Sequence, residues 1–318
     1  MRFNPKARLS TRRMGDSGRS GARGSSRSSA GGGGVPIPGG LAGGGVTGLI
    51  VVAVIVGISL WLGGGLPGGI GGAGSAGYDT ARMSESDRYE QCETGADANN
   101  SVDCARVAVE NSLYDYWSDT MSAQSSVAFK PQRQLQTFTD GVSTACGQAS
   151  AAVGPFYCPA DQTIYLDTTF FDDVLEQQLG GPDGGFVEPY VLAHEYGHHI
   201  QQLMGTMGRV RTQQGPRSDA VRLELQADCY AGMWAGAATS TEDEDGQVLI
   251  SELTERDVQE AIGAAEAVGD DRIQSAGGGS VDPDSFTHGS AAQRVEWFRT
   301  GFEAGSLAAC DTFAPGAL

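Results

Sequence analysis

Apolar residues recur at three-to-four spacing along much of this chain, which is the pattern of amphipathic helices that pack on a core. Helices are predicted over residues 101–122, 189–204, 219–238, 255–268 and 290–302, with a short one over 170–179. Between 135 and 167 the chain has strand character, with a turn at Gly154-Pro155 and a β-branched run over 163–166. The pattern predicts an α+β domain that is mostly helical, with a small sheet.

The first 79 residues differ from the rest, since they hold 24 of the 48 glycines. Their strongly apolar stretch, residues 41–62, carries no charge and is close to the ~20 residues that cross a bilayer. A single transmembrane helix is therefore predicted there. It divides the chain into a basic, Gly/Ser-rich tail (1–40), the span (41–62), a Gly-rich linker (63–79) and a folded domain (80–318).

The distribution of charge predicts how the chain is oriented across the membrane. Residues 1–40 contain eight basic residues and one acid, Asp16, and no basic residue follows until Arg82. The tail is therefore predicted to be cytoplasmic and the domain extracytoplasmic. A cleaved signal peptide is the alternative, which the 40-residue polar lead disfavours. Beyond the tail, 13 basic and 38 acidic residues give a formal charge near −25, which argues against a nucleic-acid partner.

All six cysteines follow the predicted span, as expected of a domain in an oxidising compartment. Six cysteines allow 15 pairings. Two pairs of cysteines are separated by twelve residues, which suggests Cys92 with Cys104 and Cys146 with Cys158. The third predicted bridge, Cys229 with Cys310, would tie the last helix back to the core.

The most informative motif is His194-Glu195-Tyr196-Gly197-His198. On a helix, positions four apart share a face, so both imidazoles can reach one metal ion while Glu195 projects beside them. The flanks favour a helix, because Pro189 suits a first turn and Gly205 a left-handed end. The alternative is a core helix that carries these polar side chains without a function. Burying the two histidines and the glutamate without a ligand would cost several kcal/mol of desolvation free energy, which disfavours that alternative.

Catalytic zinc usually takes three protein ligands, so one more ligand must come from another element. Glu224 and Asp228 lie four residues apart on an otherwise apolar predicted helix. Glu224 is predicted to be the third ligand, and Asp228 to accept the second ring proton of a ligating imidazole. A solvated acidic face is the alternative. His199 points about 100° away from His198 and is predicted to pack or to support the site.

These residues resemble the glutamate-zincin pattern HExxH plus ExxAD, with HEYGH followed after 25 residues by ELQAD at 224–228. More narrowly, the chain resembles the bacterial putative neutral zinc metallopeptidase family. The shared segments are RFNPKAR at 2–8, GPFYCPAD at 154–161, and FTHGS at 286–290 with Gln293-Arg294. The resemblance implies a zincin-like metalloprotease domain, one catalytic Zn²⁺ ion and a protein or peptide substrate. The expanded Gly-rich N-terminal region departs from the family.

The expected activity is peptide hydrolysis by a membrane-anchored zinc metallopeptidase. Zinc lowers the pKa of a bound water, and Glu195 is predicted to act as its general base. His288 precedes the helix predicted at 290–302 and is predicted to donate to the oxyanion, a site role that the resemblance supports. Arg294 is either a site residue or a salt-bridge partner. The second interpretation, a solvated salt-bridge partner, is preferred because the same predicted helix carries Glu296.

Residues 164–166 are predicted to offer an open strand edge to an extended peptide. Two alternatives to a peptidase stay open at this point. One is a zinc-stabilised binding or scaffold module without turnover, which the base Glu195 argues against. The other is a metal hydrolase for another bond, such as an ester or a cell-wall peptide cross-link.

Overall fold

The computed structural model describes residues 1–19, 87–139, 141–150, 153–177, 179–182 and 184–318. These residues form a mostly helical α+β domain, as predicted. Its helices are α1 (Gly95–Ala98), α2 (Val102–Gln124), α3 (Val187–Leu203), α4 (Asp219–Ala237), α5 (Glu255–Ala267), α6 (Asp270–Ala276) and α7 (Ala291–Ala304). Its strands are β1 (Arg2–Phe3), β2 (Met14–Arg19), β3 (Gln134–Thr139), β4 (Gly141–Thr144), β5 (Gly147–Ser150), β6 (Phe156–Cys158), β7 (Thr163–Asp167) and β8 (Ile250–Glu252).

The five longer predicted helices are confirmed with ends shifted by at most two residues, because local capping signals define those ends. The Ser101 side chain accepts from the Cys104 amide at the start of α2, and Ser290 forms a capping box with Gln293 at the start of α7. Gly205 follows α3 with φ 75°, as its predicted role requires. The helix predicted over 170–179 is reduced to a π-helical turn, Phe171–Glu176.

The main sheet has the strand order β2-β3-β7-β6, with the first three strands parallel and β6 antiparallel to β7. Every residue of β7 is buried, including the polar Thr163 and Asp167 at its two ends. Strand β7 lies between two partners, so the prediction that residues 164–166 offer an open edge is wrong. The edge strand beside α3 is β6, which the turn with Gly154 at φ 75° precedes.

Residues 1–19, called the N-terminal arm below, are part of the domain. Strand β1 pairs with β8, and β2 pairs with β3 in the main sheet. The division that placed these residues in a tail outside a domain beginning at residue 80 is therefore wrong for the arm. Local patterns missed it because β2 and β3 are more than 100 residues apart in sequence.

The predicted transmembrane segment, 41–62, and the linker, 63–79, lie outside the described residues. Within the described parts of the chain, none of the helices combines the length and apolar character that crossing a bilayer demands.

All three predicted disulfides are present, Cys92–Cys104, Cys146–Cys158 and Cys229–Cys310. The last one joins α4 to the segment after α7. These two helices also pack unusually closely: a Cβ on Gly301 would lie 1.8 Å from the Cys229 carbonyl oxygen, and one on Gly232 would lie 2.0 Å from the Phe298 carbonyl oxygen. Only glycine permits this approach, which brings α7 against the centre of α4.

Candidate metal centre

His194, His198 and Glu224 converge on one point between α3 and α4. One ligand atom from each lies within 4.8 Å of the other two. The Nε2 atom of His194 is 3.2 Å from Glu224 Oε2, and Nε2 of His198 is 3.6 Å from Glu224 Oε1. All three side chains are buried, with at most 8% of each residue exposed. The structure thus brings together the three ligands that the sequence predicted.

The spacing of the two helices at this point depends on small residues. Gly197 lies inside the motif, and a Cβ there would sit 3.2 Å from Cα and from the carbonyl oxygen of Ala227. A larger residue at 197 would push α3 away from α4. The glycine within HEYGH and the alanine before Asp228 therefore let Glu224 reach both imidazoles.

Both ligand histidines have their Nδ1 atoms engaged on the side away from Glu224. Nδ1 of His194 lies 2.8 Å from Asp228 Oδ1, and Nδ1 of His198 lies 2.9 Å from Gln201 Oε1. Because Asp228 and Gln201 hold Nδ1 on this side, each ring turns its Nε2 toward Glu224. The amide of Gln201 is itself fixed by donating to the Leu223 carbonyl oxygen at 2.7 Å. These contacts fix the orientation that both rings need as metal ligands.

The donor set fits a zinc ion. Glu224 Oε1 is buried and has no hydrogen-bond partner, and a ligated cation would satisfy that oxygen. Although burial lowers it, the pKa of His194 is raised to about 10, mainly by the Asp228 carboxylate. Burial raises the pKa of Glu224, but the imidazoles outweigh it and hold that pKa well below its usual value. The centre therefore favours a positive charge, and two imidazoles with one carboxylate are typical zinc ligands.

Asp228 connects the centre to α7, as a support for His194 and not as a ligand. Its carboxylate is fully buried and accepts from Tyr190 Oη at 2.6 Å and from Arg294 Nε and Nη2 at 2.8 and 2.9 Å. Burial raises the pKa of Asp228, yet the Arg294 guanidinium outweighs it and holds the pKa at about 2. Arg294 is 4% exposed, so its interpretation as a solvated salt-bridge partner is wrong.

Glu195 lies beside the ligands and is 7% exposed. Burial raises its pKa above the usual value, although the imidazoles of His198 and His194 oppose that effect. The backbone amide of Tyr157, on the edge strand β6, is close enough to the Glu195 carboxylate to lower its pKa as well. A carboxylate with a raised pKa beside a metal site suits a group that takes up and returns a proton.

His288 lies on the loop before α7, near the same centre, where it contributes to lowering the pKa of Glu224. Its Nδ1 is 3.3 Å from Asp270 Oδ1 and 2.9 Å from Thr287 Oγ1. Asp270 Oδ2 accepts from the backbone amides of Thr287, His288 and Gly289 at 2.7, 2.7 and 3.0 Å. One buried carboxylate thus holds both the loop and the ring of His288.

His199 is a supporting residue, as predicted. Its Nε2 donates to the Lys130 carbonyl oxygen at 2.7 Å, on the side of α3 that faces away from Glu224. Burial lowers the pKa of His199 to about 4, so the ring is neutral at pH 7.

Sequence reasoning missed three residues of the site: Tyr190, Gln201 and Asp270. The spacing of Tyr190 from His194 is four residues, and that of Gln201 from His198 is three, so helical periodicity could have indicated both. No comparable spacing indicated Asp270, because α6 was not predicted and the loop that Asp270 contacts begins 17 residues further along the chain.

Comparison with known proteins agrees with this centre. Residues 10–313 match the family described as "Putative neutral zinc metallopeptidase". An uncharacterized protein of Mycobacterium tuberculosis H37Rv, Rv2575, is 48% identical over 230 residues, covering 72% of this chain and 76% of the relative. YpfJ of Escherichia coli K12, also uncharacterized, is 43% identical over 188 residues, covering 57% and 62%. No solved structure matches. The family match spans most of the chain and includes every residue of the metal centre, so the protein belongs to the putative neutral zinc metallopeptidase family.

Proposed function

We propose that this protein is a zinc metallopeptidase that hydrolyses peptide bonds, with Glu195 as general base. The observation that carries the proposal is the meeting of His194, His198 and Glu224 around one point, with Glu195 beside them. A zinc site that serves only stability has no need of a neighbouring base.

When bound, zinc polarises the scissile carbonyl and lowers the pKa of water at its open position. The Glu195 carboxylate accepts the proton of the attacking water and then passes it to the leaving amine. We assign His288 as the oxyanion donor: with Nδ1 donating to Asp270, the doubly protonated ring would donate from Nε2. The Asp228–Arg294 pair keeps His194 in the tautomer and orientation that ligation requires.

The edge strand β6 is the element on which an extended peptide would align. It borders α3, and the Tyr157 amide at its centre faces Glu195. A peptide paired with this edge would be recognised mainly through its backbone. The proposed substrate class is therefore an extended segment of a protein or peptide.

The three disulfides support placing the domain in an oxidising, extracytoplasmic compartment. Residues 41–62 are the proposed attachment to the membrane, on the strength of their apolar, uncharged sequence. No nucleic-acid partner is proposed, given the acidic charge of the chain.

The test is digestion of an unbiased peptide library by the purified full-length protein in detergent, with and without a chelator. The full chain is required because the N-terminal arm is part of the fold. Glu195→Gln is compared with Glu252→Gln, a matched change at an exposed position of β8. The expected result is zinc-dependent cleavage by the parent and by Glu252→Gln, and a loss of at least about 100-fold in Glu195→Gln.

Cleavage that survives Glu195→Gln would refute the assignment of the base. Zinc bound in a 1:1 ratio without cleavage of any peptide would favour the scaffold module. Hydrolysis of esters or cross-linked cell-wall peptides alone would redirect the activity to the other class of metal hydrolase.

A further inference from the structure

A tyrosine on the edge strand fastens that strand to the helix of the metal motif. The hydroxyl of Tyr157 lies 2.9 Å from Nδ1 of His199 and donates to Oε1 of Gln202, both on α3. Gln202 Nε2 in turn donates to the carbonyl oxygen of Pro159, just past β6, at 3.1 Å. His199 is anchored on its far side by Lys130. These contacts set the separation between β6 and α3.

That separation is also the width of the cleft between a peptide on β6 and the base on α3. We propose that Tyr157 is a positioning residue, whose hydroxyl holds the edge strand at the distance from Glu195 that turnover requires. This inference rests on the proposed peptidase function. It assigns Tyr157 no contact with the reacting atoms, so removal of the hydroxyl is expected to reduce kcat and to leave zinc bound.

The test compares Tyr157→Phe with Tyr89→Phe in the full chain. Tyr89 is a matched control, since it is 5% exposed and its hydroxyl lies 2.8 Å from Thr137 Oγ1 in the main sheet. Both variants lose one buried hydroxyl group and are expected to show similar losses in Tm. Only Tyr157→Phe is expected to lower kcat, by about tenfold or more, with one zinc ion still bound.

Equal kcat values for the two variants, with the parent active, would overturn the role of Tyr157. A parent chain that binds zinc and cleaves no peptide would instead refute the proposed function, and this inference with it.

A second and independent inference concerns the N-terminal arm. The arm wraps the loop closed by the Cys92–Cys104 disulfide: the Leu9 amide donates to the Glu93 carbonyl oxygen, and the Gly95 amide donates to that of Ala7, each at 2.9 Å. Ala7 itself has no exposed surface. Further along the arm, Met14 to Asp16 pair in register with residues 135–137 of β3.

The arm also supplies a charge that the core needs. Glu110, on α2, is fully buried and receives Nε and Nη2 of Arg13 at 2.6 and 3.2 Å. Gln132 and Asn111 complete the carboxylate's partners at 2.6 and 2.8 Å. A buried carboxylate without its cation is strongly destabilising, so α2 and the arm belong to one cooperative unit.

The apolar segment 41–62 stands in sequence between the arm and the rest of this unit. A single crossing of the membrane there would place β2 and β3 on opposite sides, where they cannot pair. We infer that residues 1–19 lie on the same side of the membrane as the metal centre. The Cys92–Cys104 disulfide against which the arm packs makes that side the oxidising one.

Thiol labelling in intact cells tests this placement. All six cysteines are paired, so the native chain offers no thiol and serves as the blank. Lys6→Cys reports on the arm and Glu244→Cys on the loop after α4, both at exposed positions. The expected result is equal labelling of the two variants by a membrane-impermeant maleimide, relative to each variant's labelling after solubilisation and denaturation.

Labelling of Glu244→Cys in intact cells, with Lys6→Cys reacting only after permeabilisation, would overturn the inference. The reverse pattern would overturn it as well, because either one separates the two positions by a membrane.

Discussion

Replacing Arg294 with Met tests how the Asp228–Arg294 ion pair supports the metal centre. The change removes the cation that contacts both oxygens of Asp228 and leaves the packing volume of the side chain similar. Asp228 has no exposed surface, so water cannot replace the lost guanidinium. The remaining donors to the carboxylate are Tyr190 and His194.

The expected loss of stability follows from this burial. Removing one partner of a buried ion pair costs roughly 3–5 kcal/mol, because the other charge stays buried and uncompensated. A surface pair contributes about 0–1 kcal/mol. Arg256–Glu260 is the pair for comparison, with an Nε–Oε1 distance of 3.1 Å and 83% of the Arg256 side chain exposed. Glu260 is only 11% exposed, but it keeps the Phe186 amide as a donor when Arg256 is changed. Arg294→Met should also weaken zinc binding by about 10–100-fold, since Asp228 would no longer hold His194 as firmly.

Urea unfolding and zinc competition with a chelator measure these two quantities for Arg294→Met and Arg256→Met. The double variant Arg294→Met/Asp228→Asn should recover part of the stability, because no buried charge is left unpaired, and should not recover zinc affinity. If Arg294→Met unfolds at the same urea concentration as Arg256→Met and binds zinc like the parent, the assigned role of the Asp228–Arg294 pair is refuted.

Three further predictions concern His288 as oxyanion donor, the 287–289 loop, and the disulfide that joins the cysteines furthest apart in sequence. His288→Ala should lower kcat about 100-fold with zinc retained; an unchanged kcat would remove its role as oxyanion donor. Burial raises the pKa of Asp270, but His288 and the loop amides outweigh it and lower that pKa. The carboxylate therefore stabilises the 287–289 loop only while ionised, and hydrogen-exchange protection of these amides should fall as pH drops through that lowered pKa; constant protection down to pH ~2 would contradict this. Replacing both Cys229 and Cys310, 81 residues apart, should cost about 4.5 kcal/mol of unfolding free energy, against about 3 kcal/mol for Cys92 and Cys104, 12 apart; denaturant unfolding of both double variants checks the order.

The ligands of the metal centre could be predicted because the spacing of these residues within each helix indicates their role. His194 and His198 share a helix face by periodicity alone, and so do Glu224 and Asp228 on the next long helix. Joining the two faces needed only the rule that catalytic zinc takes three protein ligands. The strands β3, β6 and β7 were predicted as strand character, but their order was not, since order depends on pairing between distant segments.

Arg294 and Asp270 could not be assigned in this way. Arg294 reaches Asp228 because α7 lies against α4 at Gly232 and Gly301. The periodicity within either helix does not indicate this close approach of the two backbones. In sequence alone an arginine with a glutamate two positions away has an ordinary surface explanation. The glycines on both helices were the available signal, since each would collide with the other helix if it carried a side chain.

The inferred placement of the arm differs from the cytoplasmic placement that charge counting predicts. The prediction of a cytoplasmic tail counted each basic residue before the apolar segment as a free positive charge at a membrane surface. Arg13 does not meet that condition, because its guanidinium lies against the buried carboxylate of Glu110 and over the ring of Tyr114. A basic flank orients a membrane segment only through charges that remain in solvent. Where such a residue neutralises an acid in a folded core, its charge instead indicates that the flank and the core fold together.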